Sequence, residues 1–183
     1  FHNFNFGEVL AVSTRSPWQI EDVLPEGANL DFGRCFLPES LARTSAATML
    51  SPNEQRILNQ IRGHEYLSIF GLVEEFILPF LMDHIRPSLP DADDTRVRAM
   101  MQFAAEEAKH IQLFKRFREE FDAGFGHHCE VIGPPEAVAE KILGYSPLAV
   151  ALLTLHIEWF VQSHYLDSVK DDGDVDPQFK SLL

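Results

Sequence analysis

The sequence is poor in cysteine, in positive charge and in uninterrupted apolar runs. Cys35 and Cys129 are the two cysteines in 183 residues. Two cannot build a disulfide framework, so the default compartment is a reducing cytoplasm. Lys and Arg number 15 against 28 Asp and Glu, a net charge of −13. Such a chain repels a nucleic-acid backbone and an anionic membrane surface, so neither is an expected partner. Every apolar run is broken by polar residues before reaching about 18, so no membrane span is expected. Secretory signal, internal repeat, low-complexity tract and strand pattern are all missing. What is present is an apolar content of 45%, with 15 Phe. That suffices for one domain with a full core.

Residues 1–50 read as an irregular arm that packs on a body, with a short helix near 38–43. The chain opens on "FHNFNF" without Met and reads as processed or trimmed. Residues 51–183 read as a helical bundle. Ser51-Pro52-Asn53-Glu54 supplies an N-cap, a Pro at the first helical position and a capping-box Glu. The first long helix then runs to about His84. A second runs from Asp93–Asp94 to about Asp122, and "PPEAVAEKILG" forms a short one. A third long helix starts at Ser146-Pro147 and runs to about Lys170. After the acidic turn "DDGDVDP", "QFKSLL" reads as the start of a fourth. The short first linker makes helices 1 and 2 antiparallel. The longer second connection, roughly 50 Å in reach, lets helix 3 lie parallel to helix 2. One hairpin followed by one long crossover is the connectivity of ferritin-like bundles.

Candidate ligands emerge from polar residues on apolar faces. In helix 2, Glu107 and His110 lie three apart among Met100, Phe103, Ala104, Ile111 and Phe114, with Glu106 at the edge of that face. Lys109 and Gln112 fall on the opposite side. The spacing alone is weak in a chain rich in Glu and His; its place on the apolar side gives it weight. In helix 1, Glu75 projects with Ile57, Ile61, Ser68 and Leu72, whereas Glu74 projects with Arg56 and Gln60. Glu75 is therefore favoured over Glu74 by a margin of one residue. Helix 3 is apolar almost all round and carries a single carboxylate, Glu158. A buried acid without a basic partner is costly, so it is expected protonated or neutralised. Counted along the helices, Glu75, Glu107 and Glu158 lie roughly 15, 21 and 18 Å from one end of the bundle. Three acids and an imidazole at one level suit iron or manganese.

These residues resemble the ligand pattern of the ferritin-like di-iron carboxylate proteins. That pattern is Glu, then Glu-x-x-His, then Glu, then a second Glu-x-x-His on successive helices. Glu75, Glu107 with His110, and Glu158 match its first three parts. The motif separation is similar to the p-aminobenzoate N-oxygenase branch. The resemblance implies two iron ions (or a Mn/Fe pair) that react with O₂ or peroxide and oxidise a small organic substrate, an amine among the candidates. It also implies an external electron donor. The fourth-helix motif is absent, so the chain is expected to be truncated, with a further Glu-x-x-His soon after Leu183. The open apolar seam would otherwise be covered by a partner, for instance in a homodimer. The alternatives are a rubrerythrin-type ferroxidase or peroxidase, and a metal-free helical interaction protein.

The remaining features are read as structural. Tyr165, on the Glu158 stripe, is held as a second-layer candidate around the metal. His127-His128-Cys129 lies in a Gly-flanked loop without further ligands. His64, His84, His156 and His164 are read as packed or surface residues, and "DDGDVD" lacks the spacing of a calcium loop.

Overall fold

A computed structural model describes residues 4–90, 94–131 and 133–183. Among them there is no strand; a single parallel bridge joins Cys35 and Val175. Two long helices dominate, α4 (Pro52–Ile85) and α5 (Asp94–Phe125). The expected capping box starts α4: Ser51 Oγ accepts from the Glu54 N–H, and the Glu54 carboxylate accepts from the Ser51 N–H. The expected helix start at Asp93 lies outside the described residues. Two further helices follow, α6 (Pro135–Leu143) and α7 (Pro147–His164). A π-helical turn, Tyr165–Val169, carries α7 onward. The chain then turns into α8, Pro177–Lys180. No described helix is long and apolar enough to cross a membrane.

Contacts along α4 give the directions of its neighbours. His64 meets Phe121, and Phe70 meets Phe114. Glu74, further along α4, meets His110, earlier in α5. The two helices are therefore antiparallel. On another side of α4, Tyr66 OH hydrogen-bonds His164 Nδ1 at 2.8 Å. Ile157 and Val161 lie beside Phe70 and Val73, and Val150 joins the core group of Ile77 and Leu81. So α7 also runs opposite to α4 and parallel to α5.

The arm is more regular than its composition predicts. It forms α1 (Phe6–Arg15), α2 (Ile20–Val23) and α3 (Glu39–Ala42). Asn5 caps α1 by accepting from the Gly7 and Glu8 N–H groups. That helix packs on α5. Tertiary contact overrides the weak helix propensity of Gly7, Val9, Val12 and Thr14.

The core has two parts. One gathers Leu24, Phe36, Leu67, Phe117, Phe121 and Phe179, where the arm and the C-terminal residues meet α4 and α5. The other gathers Val73, Phe76, Ile77, Leu81, Ala104 and Val150. Gly63 lets the first part close. A Cβ there would lie 2.8 Å from Phe36 Cβ and 3.1 Å from the Phe179 ring. The outer face of α7 is left open: Leu148, Leu152 and Trp159 are all more than half exposed.

Candidate metal centre

Between the two core parts lies a polar group. Glu74 is 5% exposed and Glu107 3%. Their carboxylates converge on one imidazole nitrogen: His110 Nδ1 lies 3.0 Å from Glu107 Oε2 and 3.4 Å from Glu74 Oε1. One ligand atom from each residue lies within 4.8 Å of the others. The i, i+3 register on α5 brings Glu107 and His110 together. The antiparallel crossing of α4 supplies Glu74.

The sequence expectation of Glu75 is corrected here. Glu74 enters the group, and Glu75 is half-buried outside it. The misreading has a definite cause. Arg56 and Gln60 made the Glu74 side of α4 look solvent-facing, but Gln60 and its neighbour Asn59 are buried under the arm. Gln60 Nε2 donates to the carbonyls of Phe32 and Arg34. Conversely, Ile57 and Ile61, on the supposed inward side, are both more than a third exposed. The polar stripe was a seat for backbone, not a face for water.

Protonation in the metal-free protein follows from burial and neighbours. Burial raises the Glu74 pKa, and the nearby Glu107 adds to the rise. Against the His110 hydrogen bond the result is about 8. Burial acts to lower the His110 pKa. Hydrogen bonds and attraction from Glu107 and Glu74 outweigh it and hold the imidazole at about 10. A proton on Glu74 and an imidazolium at His110 therefore balance the group at neutral pH. Among the described residues, no Lys or Arg forms an ion pair with Glu74 or Glu107. Glu74 Oε2 is buried and has no hydrogen-bond partner at all. A buried carboxylate oxygen left unmatched costs stability. Two carboxylates and an imidazole, one oxygen spare, form a donor set that a divalent transition metal would satisfy.

Glu158 of α7 stands beside this group rather than in it. It shares with Glu74 and His110 a cavity of about 270 Å³, also bordered by Trp18, Phe70 and Leu182. Burial first, and then the Glu107 charge, raise the Glu158 pKa. Its residue surface is otherwise solvent-exposed, in keeping with the open face of α7. Tyr165 does not line the cavity; it opens the π-helical turn beyond it.

Sequence reasoning missed the roof. The Trp18 ring stacks on His110, with centroids 5.6 Å apart and planes at 23°. Its indole N–H donates to Glu106 Oε2 at 2.8 Å. Lys109 Nζ pairs with the same oxygen at 2.7 Å, lies 4.4 Å from the indole centroid, and donates to the Trp18 carbonyl. Glu106 and Lys109, read as edge and solvent residues, are thus the clamp that holds the arm over the site. These bonds outweigh the desolvation of Glu106 and keep its pKa low. Trp18 has no periodic context; the only sequence signal was an i, i+3 Glu–Lys pair beside an apolar face. Behind Trp18, Gln178 Nε2 and Ser181 Oγ donate to the Val23 carbonyl and tie the C-terminal residues to the arm.

Compared with family models, with curated proteins and with solved structures, the chain finds no match in any of the three.

Proposed function

We propose that this chain is a non-haem metal-dependent oxidoreductase whose ion is held by Glu74, Glu107 and His110, with Glu158 completing the set. One observation carries the reading: the buried, unpartnered Glu74 oxygen beside a second carboxylate and an imidazole. The sequence resemblance extends it to a di-iron or Mn/Fe centre on a ferritin-like bundle. Iron bound there would supply redox chemistry toward O₂ or peroxide, with electrons from a separate donor. The chain's own residues have distinct tasks. Glu74 gives up its proton so that its carboxylate can bind the ion beside Glu107. His110 Nδ1 must lose its proton to become a ligand, so binding strengthens as pH rises. Stacking by Trp18 fixes the His110 ring plane and keeps bulk water off that side. Beside it, the 270 Å³ cavity with its apolar wall offers room for a small organic substrate, an amine among the candidates.

A metal-free structural role is favoured by one observation. The His110 contacts already neutralise the group without an ion. Anaerobic loading with Fe(II) or Mn(II), followed by metal analysis, decides between them. Wild type and E75Q are expected to retain metal, and E74Q and E107Q to lose it. Retention by wild type below about 0.5 ion per chain sinks the metal reading. Trp18 fluorescence in a W159F background, quenched on loading, gives an independent readout. Substrate-dependent O₂ consumption then separates oxygenase from ferroxidase.

A further inference from the structure

A second cavity, of about 450 Å³, lies against α4 beneath residues 129–131. None of its lining residues borders the candidate metal cavity. Ile61, Ile69, Leu72 and Val131 make it apolar. Two buried polar side chains interrupt that lining, one helical turn apart on the same face of α4: His64, 3% exposed, and Ser68, 6% exposed. Ser68 Oγ is fully buried and unpartnered. His64 packs its ring on Phe117 and Phe121, forms no hydrogen bond within the described residues, and also borders a neighbouring groove with Asp122 and His128.

A buried hydroxyl without a partner, as at Ser68, destabilises the fold unless something meets it. Burial lowers the His64 pKa. The ring is therefore neutral, with one donor and one acceptor nitrogen. Ser68 can also donate and accept. Glu65 and Glu130 line the same cavity but are exposed. They disfavour an anionic head group, and no Lys or Arg lines the cavity to offset them. A volume of this size suits a small ligand.

We propose that this cavity binds a small neutral alcohol or phenol. Its hydroxyl pairs with His64 and Ser68, and its apolar body lies on Ile61, Ile69 and Leu72. The site is independent of the metal reading, since it uses none of the same residues.

Phenol is the probe, with benzoate as the charged control of similar size. Added to isotope-labelled protein, phenol is expected to shift the His64 imidazole resonances saturably and to raise Tm. Benzoate is expected to do neither. S68A should weaken phenol binding about tenfold or more. Without phenol, its Tm should equal or exceed that of wild type, because an orphaned hydroxyl is gone. H64F should abolish binding; S68A keeps the test decisive if H64F fails to fold. His64 resonances that stay fixed up to about 10 mM phenol overturn the proposal. So does S68A protein that binds phenol as well as wild type. A lower Tm for phenol-free S68A also overturns it, because an ordered water would then already satisfy the hydroxyl.

Discussion

Two polar side chains of α4, Asn59 and Glu74, are buried to similar depth and used in opposite ways. In the N-terminal half, Asn59 is fully matched. Its Oδ1 accepts from the Phe36 and Leu37 N–H groups at 2.8 and 3.0 Å, and its Nδ2 donates to the Leu37 carbonyl at 2.8 Å. In the C-terminal half, Glu74 has a long contact to one imidazole and a buried oxygen without a hydrogen-bond partner. Burial alone does not distinguish a scaffold residue from a ligand. Unused bonding capacity does. Asn59 uses both its oxygen and its nitrogen on the arm and Gln60 donates twice to it, so they hold the fold together. Glu74 keeps some in reserve.

The largest test of this contrast is N59A. It strips three hydrogen bonds and leaves two N–H groups and a carbonyl buried without partners. We expect a loss of about 3 kcal/mol. For a domain of this size that lowers Tm by roughly 10 °C, measurable by calorimetry. A loss under about 1 kcal/mol would mean that water replaces the side chain.

A middle effect is expected at the roof. W18A removes a ring stack and a cation–π contact, together about 2 kcal/mol. Because Asn59 and Gln60 anchor residues 32–37 independently, the arm should stay docked there and open only near residue 18. Limited proteolysis that cuts near residue 18 but spares 32–37 is the expected pattern. Cleavage across the whole arm would make its two attachments a single unit.

The smallest stability effect belongs to E74Q. Glu74 is protonated at neutral pH, and Gln is nearly its isostere, so the metal-free protein should lose less than about 1 kcal/mol. Its pH profile should change instead. Both Glu74 and His110 hold protons more tightly when folded than when unfolded. Their contribution is therefore complete below their ordinary pKa values and is lost as pH rises, through about 8 for Glu74 and about 10 for His110. In E74Q the earlier loss disappears and the later one remains. Urea denaturation across pH 5 to 10, with metal chelated, reads both. An unchanged slope would place the titration elsewhere.

Much of this was legible in the sequence, and unevenly so. Helix α5 has a true solvent face, so its register showed Glu107 and His110 inward. The helix order and boundaries were readable from Ser51, Ser146, Pro147 and Gly144. Helix α4 exposes isoleucines (Ile57, Ile61 and Ile69) and buries Asn59 and Gln60, so one-dimensional periodicity could not choose between Glu74 and Glu75. The arm was hardest to read. Its contacts join residues far apart in the chain, such as Trp18 with Glu106 and Asp31 with Asp176, and no local pattern encodes them.

That last pairing has a kinetic consequence. Asp176 accepts from the Asp31 N–H across 145 residues and from the nearby Phe179 N–H, and its own N–H donates to the Cys35 carbonyl. The ligand donors of α4 and α5 are brought together by closing a loop of only about 33 residues. By chain entropy alone, the longer closure costs about 1 kcal/mol more. Hairpin formation is therefore the cheaper step and roofing the dearer one. In an order of assembly set by that difference, the three donors stand open to solvent before the ends of the chain are knotted over them. An ion of the kind proposed would meet its donors most openly during that interval, before Trp18 stacks on His110.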